Sequence, residues 1–243
     1  MISTPVTVAL VIADFGLLAI LLGGLAFGAL NAQRPAVLAI GGGGLVAWCV
    51  LTFVLAKQGF FESDPTTTMP PRIGFAIVIP VIVGSALVAL APVRRVIERI
   101  PLQWLVGVQF YRVAGALFLI AWLQDDIPAE FALPAGIGDV LVGLLAPFVA
   151  LSVVRNGSDR AWPRVVAWCV LGIADLVVAV TCGFLTAPSA FQQLALDNPN
   201  EAITSYPFVL IPVFAVPASI VLHIFVLARV LRRPAAAGQP RIA

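Results

Sequence analysis

Residues 107–122 read GVQFYRVAGALFLIAW, a stretch apolar enough to cross a bilayer that nevertheless carries Arg112 near its middle. A guanidinium does not give up its proton in a protein, and hydrocarbon charges several kcal/mol for it even on mild scales. An arginine at that depth predicts polar partners on neighbouring helices. Composition places those neighbours in a membrane too. The 243 residues are 61% hydrophobic and only 11% charged, with a mean hydropathy of +1.06; a soluble domain carries about 25% charged residues. The net charge of +2 points to no nucleic-acid partner. Cys49, Cys169 and Cys182 lie in apolar runs without a CxxC pair, which suits packing and supplies neither a metal site nor a cofactor motif. The N-terminus, MISTPVTVALVIADFGLLAI, has no basic leader and too long an apolar run for a signal peptide, so it reads as a retained first span.

A span needs about 20 mainly apolar residues. Seven segments qualify: 6–30, 36–56, 73–92, 102–123, 133–154, 164–186 and 206–231. Turn chemistry separates them, as in NAQRP, ESDPTTTMPP and RNGSDRAWP. The charges then orient them. With the N-terminus outside, the inner segments hold Arg34, then Arg94, Arg95 and Arg99, then Arg155, Arg160 and Arg164, then Arg229, Arg232, Arg233 and Arg241. The outer segments hold only Lys57 and Arg72, beside the acids Glu62, Asp64, Asp125, Asp126, Glu130, Asp197 and Glu201. That alternation is the positive-inside pattern. The sequence thus predicts an all-α polytopic membrane protein, a seven-helix bundle with N-out and C-in, in a bacterial plasma (inner) membrane, as one transmembrane domain over residues 1–243. The outer segment 187–205 has capping-box spacing at Ser189 and Gln192, which predicts a short helix serving as a lid, or else a loop resting on the bilayer.

An internal repeat is visible. VAWCVL occurs at 46–51 in the second span and identically at 166–171 in the sixth. In the same order, ADFGLL aligns with GDVLVG, pairing Asp14 with Asp139; QGFF aligns with CGFL; and IPV recurs at 79–81 and 211–213. The pattern predicts two parallel units, 6–92 and 133–231, joined by the span 102–123. The sixth span needs an extra turn, near Asp175, because Trp168 to Gly183 is four residues longer than Trp48 to Gly59. This three-one-three layout is similar to that of the sugar-permeating SWEET family and of vitamin-uptake carriers with the same helix arrangement. The resemblance implies a site between the repeats near mid-membrane. The Pro-Gln dipeptide of SWEET-like repeats is missing from the spans. Microbial rhodopsins share seven helices and this orientation but need a lysine in the seventh; the only lysine here is Lys57.

Four ionisable residues lie within spans: Asp14, Arg112, Asp139 and Asp175. At about 1.5 Å per residue they sit roughly 12 to 20 Å from the inner face, in one central layer. Gln109, Arg112 and Ala116 share one helical face. Gly136, Asp139, Gly143, Ala146 and Ala150 share a second, and Gly172, Asp175 and Ala179 a third. Small residues let such faces approach closely. An Arg–Asp cluster follows, with Asp139 or Asp175 as the partner of Arg112. Carboxyls left without partners in hydrocarbon take up protons, the raw material of proton coupling. The same cluster would also serve simply to lock helix register. Trp48 and Trp168 read either as ligand walls or as packing. Of the prolines within spans, Pro80, Pro147, Pro212 and Pro217, the pair Pro212 and Pro217 makes the last span the hinge candidate. The single His223 reads as a helix-end residue bonded locally.

The segment 136–139, GIGD, resembles the GxGD motif of intramembrane aspartyl proteases. That resemblance implies a catalytic Asp139 with Asp175 as its partner, two carboxyls sharing a proton. Here the motif comes first in the chain rather than second, and Ala174 stands where that group has a tyrosine. Three functions are therefore in play: a small-solute transporter with proton coupling, a GxGD-type protease, and a non-catalytic scaffold or accessory subunit. The partners are the lipid bilayer and an unidentified small solute.

Overall fold

The computed structural model describes residues 4–63 and 71–232; Asp64, Arg233 and Arg241 lie outside them. The described residues form helices and no strand. We number them α1 (Thr4–Asn31), α2 (Pro35–Lys57), α3 (Arg72–Leu87), α4 (Ala91–Arg99), α5 (Leu102–Leu123), α6 (Ala129–Thr186) and α7 (Ile211–Leu231). Five of them are long and apolar enough to cross a membrane, or six when the bent pair α3–α4 is taken as one span. Side-chain placement is inverted relative to a soluble protein. Ile40 and Phe148 are 77% and 70% exposed, whereas Gln109 and His223 are fully buried. An apolar exterior around a polar centre is what a lipid solvent selects.

Helix α6 is a hairpin, although it runs without a loop. Along a straight helix, residues 26 apart lie about 39 Å from each other. Yet Trp168 Nε1 donates to the carbonyl of Val142 at 3.1 Å. The reversal occurs at Gly157, whose φ of 71° and ψ of 157° are open almost only to glycine. The nine-residue break expected at RNGSDRAWP is thus a single residue, and the helix resumes at once. The arms, 129–156 and 158–186, pack on each other and enclose α5.

Two expected boundaries move, and one expected helix does not form. The third span ends at Leu87 rather than Pro92, and α4 leaves it at 90°. Helix α4 buries Val96 and Ile97 and carries Arg94, Arg95 and Arg99, the pattern of a helix lying along an interface. The last span begins at Ile211 rather than 206, with a π-turn over Ile211–Ala215. No helix forms at Ser189; only Ala202–Thr204 makes a short 3₁₀ turn, while Asn200, fully buried, accepts from the Ile203 N–H at 3.2 Å and pins the segment down.

Helix α5 is not uniform either. Val108–Gly115 winds as a 3₁₀ helix between two α-helical ends. At three residues per turn, Gln109, Arg112, Gly115 and Phe118 line up, and all four are buried. The 109–112–116 face expected from α-helical periodicity is corrected accordingly: Gly115 replaces Ala116.

If the hairpin depends on the Gly157 backbone, Gly157→Val should lower the unfolding temperature in detergent, at a cost of about 1–3 kcal/mol, even though open space surrounds the residue. Gly23→Ala, likewise in open space but within regular helix, should leave the unfolding temperature unchanged or raise it.

Candidate functional site

The guanidinium of Arg112 is the centre of a buried network that joins three helices. Nε donates to Asp139 Oδ1 at 2.7 Å, and Nη2 donates to Asp175 Oδ2. Nη1 faces the carbonyl of Gly172 and Nε2 of His223, each at 3.3 Å. These contacts engage four of the five N–H groups that arginine offers. Both aspartates are therefore partners, one from each arm of α6. Because arginine only donates, His223 Nε2 must accept, which puts the ring proton on Nδ1. The sequence predicts that His223 bonds within its own turn; instead it pairs through Nε2 with Arg112 on another helix. It lies against Trp168, with ring centroids 4.7 Å apart, and points at Arg112.

Glycines make room for this network. A Cβ on Gly138 would strike Asp175, and one on Gly172 would strike the His223 ring. A Cβ on Gly143 would come within 2.7 Å of the Val113 backbone nitrogen in the 3₁₀ turn. The small-residue faces read from the sequence therefore mark contact with charged side chains as well as helix with helix.

A second polar cluster adjoins the first. Gln109 Nε2 donates to the Ser219 carbonyl at 3.1 Å, and Ser219 Oγ donates to Gln109 Oε1 at 3.0 Å. With the serine proton committed, the Tyr111 hydroxyl donates either to Ser219 Oγ or to the Ala215 carbonyl, 3.0 Å away. Trp48 Nε1 reaches the carbonyl of Val213 at 3.0 Å. That carbonyl lies four residues before Pro217, which has no N–H to offer it. Trp48 thus donates to the backbone of α7 and Trp168 to the opposite arm of α6, and neither lines the two cavities described next.

Asp14 stands apart from Arg112. Its Oδ2 is 3.8 Å from Cys49 Sγ, and its buried Oδ1 has no hydrogen-bond partner. It borders a cavity of about 40 Å³ whose polar walls also include Tyr111, Arg112, Asp139 and Ser219. A second, largely apolar cavity of about 70 Å³ lies between α3, α6 and α7. The two share Phe118, Asp139, Leu176, Ile211 and Val216, so Asp139 looks into both. Ala187, Ile203 and Thr204, from the 187–205 segment, also line the second cavity. No group of metal-binding side chains is found among the described residues. Pro212 lies within the π-turn that walls both cavities, and Pro217 follows just after it.

A family model, described as a domain of unknown function (DUF8737), matches residues 70–231, more than half of the chain. The chain belongs to the DUF8737 family. The matched region contains Arg112 with all its partners, along with Gln109, Tyr111 and Ser219; Asp14, Trp48 and Cys49 precede it. No curated protein and no solved structure matches the chain.

Sequence reasoning reached Gln109, Arg112 and the aspartates because charged or amide residues within apolar runs announce themselves. It missed Tyr111, Ser219 and the inward aim of His223, residues common enough in membrane helices to carry no signal alone. Removing one side of a buried pair costs about 3–5 kcal/mol, more than replacing the whole pair by apolar groups. Arg112→Leu should therefore sharply lower the unfolding temperature in detergent. The triple variant Arg112→Leu, Asp139→Leu, Asp175→Leu should recover much of that loss.

Proposed function

We propose that this protein is a seven-crossing permease for a small solute, N-out and C-in, coupled to protons through the buried charges around Arg112. The observation that carries this reading is the pair of cavities that share Asp139, one lined by Arg112 and the other by residues of the 187–205 segment. At about 10–15 Å³ of such volume per water, they admit a handful of waters and no solute. Passage therefore requires α7 to move, and its π-turn, which holds Pro212 and precedes Pro217, is the hinge in the cavity wall.

Taking each α6 arm as one crossing, and α3 with α4 as another, supports the count of seven. In that count Arg34, the α4 arginines, the Gly157 turn with Arg155 and Arg160, and Arg232 fall at one end of the bundle. This suits a bacterial plasma membrane with those ends in the cytoplasm. Two parallel units, 6–92 and 133–231, around α5 are supported by the repeated VAWCVL segments, in each of which the tryptophan donates to a backbone carbonyl and the cysteine is fully buried. The geometry favours a charge cluster over a protease dyad, since Arg112 gives Asp139 and Asp175 separate nitrogens where a dyad would share one proton.

The test is proton flux into proteoliposomes holding an internal pH dye, under an imposed pH gradient, with a panel of neutral sugars, amino acids and small amines. One solute class should accelerate the flux, and Asp139→Asn should abolish that acceleration in protein that still folds and inserts. If no member of the panel moves protons, the scaffold reading stands in place of the permease.

A further inference from the structure

Asp14 is 5% exposed and belongs to α1, outside the Arg112 network. Its Oδ1 is fully shielded and has no partner, and its only neighbour at Oδ2 is the weak S–H donor of Cys49. The groups facing the same cavity can be named element by element. Helix α5 brings Tyr111 and Arg112, α6 brings Asp139, and α7 brings the uncharged Ser219, while Cys49 of α2 contacts Asp14 itself. Arg112 already divides itself between Asp139 and Asp175. A bare carboxylate on Asp14 would therefore have no counter-charge of its own in a low-dielectric wall. The cavity beside it, about 40 Å³, has room for roughly three waters at ~10–15 Å³ each. Its remaining lining is mostly aliphatic, too poor in oxygen for the six or so ligands a desolvated metal cation demands.

We propose that Asp14 is a proton-binding site distinct from the Arg112 cluster, and that water in the adjoining cavity carries its proton to Asp139. The O–H bond at Asp14 Oδ1 breaks, the proton moves along hydrogen-bonded water as hydronium, and a new O–H bond forms on the Asp139 oxygen that Arg112 Nε does not hold. No other bond changes and no electrons are transferred. Protonating Asp139 removes one of the two charges that hold Arg112, so the arrival of the proton loosens the contact between α5 and the first arm of α6. The role in transport rests on the permease reading; the existence of the site does not.

The experiment is infrared spectroscopy of the full-length protein in liposomes, following the protonated-carboxyl C=O stretch from acidic to alkaline pH in H2O and in D2O. A band that titrates with pH and shifts in D2O should be lost in Asp14→Asn and kept in Asp139→Asn. Cys49→Ala, which leaves the carboxyl in place, should move the band's frequency, and it answers the question even where Asp14→Asn fails to fold. A band unchanged in both Asp14→Asn and Cys49→Ala overturns the assignment, and a band that ignores D2O overturns the water path. A titration displaced by sodium at constant ionic strength would assign the cavity to a metal cation instead. A solute-independent proteoliposome alongside a normal Asp14 band would remove the permease reading and leave the proton site standing.

Discussion

A guanidinium that cannot shed its charge must find acceptors wherever the fold places it, and in this bundle the acceptors come from three directions. Asp139 and Asp175 approach from the two arms of α6, and the Gly172 carbonyl and His223 close the remaining sides. Asp139, Gly172 and His223 are buried together with Arg112, and Asp175 is half-buried beside them. The requirement extends to the backbone. Gly138, Gly143 and Gly172 are needed because a single added carbon would occupy the space of Asp175, of the α5 backbone or of His223. The 3₁₀ turn in α5 stacks Gln109, Arg112, Gly115 and Phe118 in one line, which presents the guanidinium and the amide to the same side of the helix.

Lipid offers no hydrogen bonds, so every irregularity in the helices has to be served from within. Helix α7 shows how. Its π-turn and two prolines disturb the regular carbonyl ladder, and aromatic donors from other helices supply what is missing. Trp48 reaches the Val213 carbonyl and Tyr111 the Ala215 carbonyl. Tryptophan and tyrosine suit this task because each carries one polar group on a large apolar body. The same arrangement leaves the wall of both cavities resting on side-chain contacts rather than on unbroken helix.

The DUF8737 region, 70–231, holds the complete Arg112 network, whereas α1 and α2 lie before it and contribute Asp14 and its thiol neighbour. The charge centre and the isolated acid thus belong to different parts of the chain, brought to one cavity by the packing of α1 beside α5 and α7. Asp14 and Asp139 occupy matching places in the proposed repeat, yet one is paired with an arginine and the other with a cysteine. Their chemistry differs because α5 presents its arginine to only one of the two units.

The sequence by itself determined that the chain is helical and apolar on its outside, where the acids and the arginine sit along it, and that small residues share their faces. Those features follow from transfer free energy and helical periodicity, which act locally and need no knowledge of neighbours. It also placed the reversal near Gly157, through the Asn-Gly signal, though not its sharpness: a loop was expected where one glycine sufficed. The tertiary structure alone decided that Arg112 would take both Asp139 and Asp175, that Asp14 would be left out, and that His223 would turn inward. It also decided that α4 would lie across the end of α3. These outcomes depend on which helix stands beside which and at what rotation, and a 3₁₀ turn or a π-turn shifts that rotation by an amount that no residue pattern along a single helix records.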